Sequence, residues 1–202
     1  MARSLLHVAT DWPGHFPNGP ATIAALVEAG ADVDARFIGS HNETPLHWAA
    51  SSNDVAVIDA LLDAGADIEA PGAVIGGGSP LADARGFAQW QAAYRLVERG
   101  ARTNLKDAAT LGLMNRVTAM FDAMPAPTRD EITRAFWGAC HGGQREAAEY
   151  LLGKGADISW IGHDDLTPLD IARRSADEGL TTASDLVSWL RDQGAKSAKE
   201  LR

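Results

Sequence analysis

The 202-residue chain has a single cysteine, Cys140, so no disulfide framework can form within it. It also lacks any apolar run near the roughly 18–20 residues that a membrane helix needs. The apolar stretch after Met1 is short and Asp11 follows it closely, which argues against a secretory signal peptide. Positive charge is scarce: 18 Lys+Arg against 27 Asp+Glu leave a formal net charge of −9. The one basic cluster, Arg191, Lys196, Lys199 and Arg202, reads as a solvated end. Nucleic acid, whose phosphates call for a basic face, is therefore not an expected partner, and neither is a membrane. Phosphate loops, zinc-ligand spacings and nucleophile elbows are missing as well, so neither a metal nor a cofactor is expected. Together these absences predict a cytoplasmic protein.

What is present is a repeat. With 46% hydrophobic and 22% charged residues the chain has enough apolar content to fold, unlike a disordered sequence. A Leu-rich helix end followed by Gly-Ala recurs at Gly30-Ala31, Gly65-Ala66, Gly100-Ala101, Gly155-Ala156 and Gly194-Ala195. Three copies run on alike, through Asp32-Val33, Asp67-Ile68 and Asp157-Ile158. Upstream stand Thr44-Pro45-Leu46-His47-Trp48-Ala49-Ala50, Ser79-Pro80-Leu81-Ala82-Asp83-Ala84 and Thr167-Pro168-Leu169-Asp170-Ile171-Ala172. Pro45, Pro80 and Pro168 suit the first turn of a helix, where a missing N–H costs nothing. Thr44, Ser79 and Thr167 suit its cap. The recurring glycines suit left-handed helix ends.

These motifs closely resemble the ankyrin repeat, whose pattern is Thr-Pro-Leu-His, two helices and Gly-Ala-Asp at a period of about 33 residues. The resemblance extends over nearly the whole chain and is that of a stand-alone, bacterial-type ankyrin-repeat protein. It implies an all-α solenoid forming one domain over 1–202, with about six helix-turn-helix repeats near 4–37, 38–72, 73–103, 104–128, 129–161 and 162–196. Short β-hairpin fingers are expected between repeats, and 197–202 is expected to be a polar tail. An atypical last repeat suggests a capped monomer.

The spacings locate the irregularities. Gly30 and Gly65 each precede the next helix leucine by 16 residues, whereas Gly100 precedes Leu105 by only 5. A finger is therefore missing between the third and fourth repeats, which should expose the helix start at 105–109. Conversely, Asp11–Pro20 lengthens the first repeat, and Pro13, Gly14 and Pro17 forbid a continuous helix there, so an inserted ordered loop is expected. The stretch 175–182 looks exposed. Gly76-Gly77-Gly78 reads as finger backbone.

Aligning the inner helices brings out the candidate site residues. At the position after the motif histidine, Asp83 and Asp107 stand where an apolar residue is expected. A half-buried carboxylate is costly unless it is paired or hydrogen-bonded. One reading is structural, with Asp83 pairing with Arg85 and Asp107 capping a helix that has lost its finger. The other is a polar pocket floor flanked by tryptophans. On that second reading Asp83, Asp107 and His141 are the acid–base groups, with Asp11 and His15 in the inserted loop as second choices. Trp12, Trp48, Ser51, Arg85, Phe87, Trp137 and His41 are the ligand-binding candidates, since groove aromatics are typical binding anchors. His47 and His7 are read as structural, Trp90 as core and Cys140 as buried and inert.

Two functions follow. The resemblance implies a binding protein whose Trp-lined, carboxylate-containing groove holds an unidentified protein partner or a bulky apolar small molecule. The alternative is a cofactor-free acid–base enzyme of lyase or cyclase type. It would catalyse dehydration or ring-closing conjugate addition on a bulky metabolite, as in bacterial natural-product biosynthesis.

Overall fold

The computed structural model describes residues 2–202. They fall into two compact units, Met1–Arg102 and Thr103–Arg202. The first unit holds three helix pairs: α1 (Leu5–Thr10) with α2 (Gly19–Glu28), α3 (Pro45–Ser51) with α4 (Val55–Asp63), and α5 (Pro80–Gly86) with α6 (Trp90–Glu98). The second holds α7 (Leu105–Thr110) with α8 (Met114–Asp122), α9 (Arg129–His141) with α10 (Arg145–Gly153), α11 (Pro168–Asp177) with α12 (Thr181–Asp192), and the short α13 (Ala198–Leu201). Within each unit inner helices pack on inner helices and outer on outer, α1 on α3 on α5 and α7 on α9 on α11.

The motif residues explain this stacking. Every outer helix but α8 ends on a glycine with positive φ, from +85° at Gly194 to +102° at Gly100, a region that carries little penalty only for glycine. The alanines that follow the inner-helix motif, Ala49, Ala50, Ala84, Ala108 and Ala109, are fully buried and let the helices approach closely. His7 and His47 tie repeat to repeat. The His47 Nδ1 accepts from the Thr44 backbone N–H (3.1 Å), and its Nε2 donates to the Gly78 carbonyl (3.3 Å). The His7 Nδ1 accepts from the Ser4 N–H (3.3 Å), and its Nε2 donates to the Glu43 carbonyl (3.1 Å). Burial lowers both pKa values, that of His47 to about 4, so both rings are neutral. A second tie repeats at one-repeat spacing: Asp34 accepts from the Asp67 N–H, and Glu69 from the Arg102 N–H.

Several expectations need correction. The fingers are loops, not hairpins of strands. Phe37 N–H donates to the Glu43 carbonyl (2.8 Å), and Gly72 and Ala73 N–H donate to the Gly77 and Gly78 carbonyls (3.1 and 3.0 Å). In the second finger Gly76 and Gly77 turn the chain at positive φ at once, leaving no length for a ladder. Loss of a finger does not expose the start of α7. Leu105 is 8% exposed and Ala108 and Ala109 are buried, because α7 packs along α9. The stretch 175–182 is exposed over 177–179 and at Thr181 and Thr182, as expected, but Ser175 is buried and its hydroxyl donates to the His141 carbonyl (2.8 Å). Residues 197–202 are not a plain tail: Ser197 caps α13, and Glu200 accepts from the Ser197 N–H (2.7 Å) and pairs with Arg191 (3.0 Å).

The loop over 11–18 is ordered by Asp54. One carboxylate oxygen accepts from the His15 N–H (2.6 Å), and the other caps α4 through the Val57 N–H (3.2 Å). Gly14, at φ +73°, passes so close to Ser52 that a Cβ there would lie 2.8 Å from the serine Cβ.

Candidate functional site

This loop, the α3 helix, the second finger and the turn between α5 and α6 border an open cavity of about 430 Å³ in the first unit. Trp12, Trp48, Phe87 and Val74 form its apolar walls. Asp11, Glu43, Ser51, Ser52 and Gln89 supply its polar groups. Trp48 is the fourth residue of α3 and is held by an edge contact to the His7 ring (4.9 Å between centroids) and a tilted contact to the Phe37 ring (5.3 Å). Trp12 is 71% exposed and Phe87 43%, so two of the rings stand in water. Asp11 is tied to Arg3 (2.6 Å) and also accepts from the Trp12 N–H (2.9 Å), which orients the loop end that carries Trp12.

Glu43 is the carboxylate of this cavity. It is only 7% exposed. Its main chain is pinned from two sides, because its carbonyl accepts from Phe37 N–H and from His7 Nε2. Burial raises the pKa of its carboxyl, the charge of Asp83 raises it further, and the Trp48 indole and His41 oppose the shift. Asp83 does not line the cavity. It is the fourth residue of α5, the place that Trp48 takes in α3, and it is fully buried. Its Oδ1 accepts from the Ile75 N–H (3.0 Å), and its Oδ2 is buried without a hydrogen-bond partner. Burial pushes its pKa up to about 6, against the opposing Ile75 and Val74 amides and the charges of His41 and Arg85. Arg85 itself is 6% exposed.

The expected residues thus divide. Trp12, Trp48, Ser51, Phe87 and the second-choice Asp11 meet at one cavity. His15 does not line it; its backbone is held at φ +56° by Asp54. His41 is an exposed finger residue whose charge is felt by Glu43 and Asp83. Asp107 and His141 belong to the second unit. There Asp107 closes a capping box: Asn104 N–H donates to its carboxylate (3.1 Å), and its own N–H donates to Asn104 Oδ1 (2.9 Å). The aligned equivalence with Asp83 therefore fails. Counted from the cap, Asp107 is the third helix residue, the place of His7 and His47.

Trp137 is 4% exposed and donates its indole N–H to the Leu166 carbonyl (2.9 Å). It thereby makes the inter-repeat tie that histidine makes in the first unit. His141 is 5% exposed, with its ring 5.7 Å from that of Trp137. Trp90 lies half-buried at the start of α6. Cys140 is fully buried, and desolvation pushes its thiol far up. Among the described residues, no group of three or more His, Cys, Asp or Glu is placed to hold a metal ion, and no helix is long and apolar enough to cross a membrane.

The sequence reading missed Glu43. It directly precedes Thr44-Pro45-Leu46-His47, where the finger returns to the helix, and a surface carboxylate there carries no pattern signal. Its place in the cavity beside residues far along the chain, Trp12 and Val74 among them, is set by the fold.

Residues 41–73 match the family model of the ankyrin repeat, a segment that includes Glu43, Trp48 and Ser51 and spans α3 and α4. No curated protein matches the chain. The matched segment, the helix pairs on either side of it, their glycine ends and the histidine ties all point the same way: an all-α stack of helix pairs that carries an ankyrin repeat at residues 41–73.

Proposed function

We propose that this chain is a protein-interaction module that takes hold of its partner at the aromatic cavity of the first unit. Ankyrin repeats suggest protein interaction in general; the placement at this cavity rests on one observation. Trp12 and Phe87 hold large apolar rings in water on the rim of a 430 Å³ recess, and aromatic groups grouped around a recess are the usual anchors of a binding surface. Arg3, Asp11 and Asp54 fix the loop that carries Trp12, so little ordering remains to be done on binding.

Peptide-display selection against the intact chain tests this. Enriched peptides are expected to lose at least tenfold in affinity with Trp12→Ala and with Phe87→Ala, while Met124→Ala, in the second unit, leaves them unchanged. Peptides indifferent to both cavity variants would place the binding surface elsewhere.

A second reading is favoured by one feature, the pair of carboxyls with raised pKa values, of which Glu43 lines the cavity. A carboxyl whose proton affinity is raised by burial beside an apolar recess is suited to general-acid chemistry. This reading makes the protein a cofactor-free lyase or cyclase acting on a bulky apolar metabolite. Its signature is turnover that Glu43→Gln abolishes without weakening ligand binding.

A further inference from the structure

We propose that the cavity of the first unit recognises a basic side chain, lysine or arginine, of the protein partner; the proposal rests on the protein-interaction reading above.

The chemistry of the walls carries it. Every charged residue of the lining is acidic: Glu43 and Asp11. Asp11 is already matched by Arg3 at 2.6 Å, but Glu43 has no basic residue against it in the lining. Instead it feels a second carboxylate, Asp83, which makes its ionised form less favourable. A cation placed in the cavity relieves that repulsion and gives the Glu43 carboxylate a charge-assisted partner in a desolvated place. The surrounding rings suit the same occupant. Trp12, Trp48 and Phe87 border one recess, and an aromatic ring attracts an ammonium or guanidinium over its face, tryptophan most strongly. Ser51, Ser52 and Gln89 complete the lining with neutral oxygens able to accept from the N–H groups of such a side chain. The recess also exceeds one side chain in volume, so the flanking residues of the partner segment have room. The chain's net charge of −9 draws a basic segment in from a distance.

An apolar side chain fits this arrangement poorly, because it would seal Glu43 and its neighbour Asp83 further from water with nothing to offset their charge. An acidic one would add a third carboxylate.

The test uses the full chain and capped tripeptides with arginine, lysine, norleucine or citrulline between two alanines. Tryptophan fluorescence and NMR chemical shifts follow the titration, and circular dichroism checks that each variant is folded. The arginine and lysine peptides are expected to bind about tenfold more tightly than norleucine and citrulline, and to weaken as salt rises. Glu43→Gln is expected to erase that preference by weakening the arginine and lysine peptides, with norleucine binding no weaker than in the parent. Trp12→Ala, at a ring already 71% exposed and therefore without consequence for folding, is expected to weaken all four. Equal binding of arginine and norleucine, or a preference that survives Glu43→Gln, overturns the cation proposal and leaves the cavity as an interaction site. Absence of any shift at Trp12 and Trp48 with all four peptides overturns the interaction site together with it.

Discussion

Neutralising Asp83 should raise the stability of the protein relative to the parent progressively as pH rises. Asp83 is fully buried and leaves Oδ2 without a hydrogen bond. Its pKa, 3.8 in the unfolded chain, stands near 6 in the folded one. Below pH 3.8 both states hold the proton and the residue costs nothing. Between 3.8 and about 6 the unfolded chain releases the proton while the folded chain keeps it, so rising pH favours unfolding. Above about 6 the folded carboxylate is ionised at full cost. The gap of about 2.2 units, at about 1.4 kcal/mol each, makes that cost about 3 kcal/mol.

Asp83→Asn has no such proton. It keeps an acceptor for the Ile75 N–H, although its new amide donors enter a buried site and cost about 1–3 kcal/mol if unpaired. That cost is independent of pH and cancels in a difference. Urea unfolding of parent and variant at pH 4, 5, 6 and 7 should therefore show the variant gaining on the parent by up to about 3 kcal/mol across the series. The groups facing Asp83 are Glu43, His41 and Arg85. Repeating the series in a Glu43→Gln background removes the coupled carboxyl from the comparison. A difference that stays flat with pH, or that favours the parent more at pH 7, refutes the reasoning and makes Asp83 an ordinary ionised member of a polar network.

Other parts of the structure give sharper single-point tests. Asp54→Ala removes both the cap of α4 and the anchor of His15; it should cost about 1–2 kcal/mol in urea unfolding and speed proteolytic cleavage within residues 11–18. Trp137→Phe deletes the indole donor to Leu166, whose carbonyl keeps only the Gly162 N–H, and should cost about 0.5–1.5 kcal/mol, the net worth of one hydrogen bond; equal stability would show that the inter-repeat tie contributes nothing. Trp12→Ala should move the unfolding midpoint by no more than about 0.5 kcal/mol, as expected for an exposed side chain, and a larger loss would mean that the ring supports the loop. Cys140 should resist alkylation in the folded chain and react only on unfolding, because its thiol is buried and held protonated.

The fold was legible because the ankyrin motif is dictated locally. Proline at a first helical turn, a capping threonine and a glycine at a left-handed helix end each act within a few residues, so their spacing alone locates α3, α5, α11 and the helix ends at Gly30, Gly65 and Gly155. The inserted loop was legible on the same grounds, from Pro13, Gly14 and Pro17. The finger geometry was not, because whether two short segments pair as strands depends on how soon the chain turns between them.

The candidate site was half legible. Trp12, Trp48, Ser51 and Phe87 were legible as groove residues, the aromatics among them as typical binding anchors, and the structure places all four on one cavity. Glu43 breaks no pattern and was missed. Asp83 and Asp107 show where such pattern reading reaches its limit. Counted back from the alanine pairs Ala49-Ala50 and Ala108-Ala109, Asp107 falls level with Trp48 and hence with Asp83. Counted forward from the caps Thr44 and Asn104, it falls level with His47. The two counts differ because α7 is one residue shorter than α3, Leu105–Thr110 against Pro45–Ser51. Which count governs is a matter of hydrogen bonds: Asn104 caps α7, so Asp107 at the third position returns the bond and its charge is satisfied. Asp83, one position further along, is beyond reach of its cap and is left with one oxygen unsatisfied. A single deleted residue thus separates a stabilising cap from a buried carboxylate that raises the proton affinity of Glu43, and it is Asp83, not Asp107, that bears on the chemistry of the cavity.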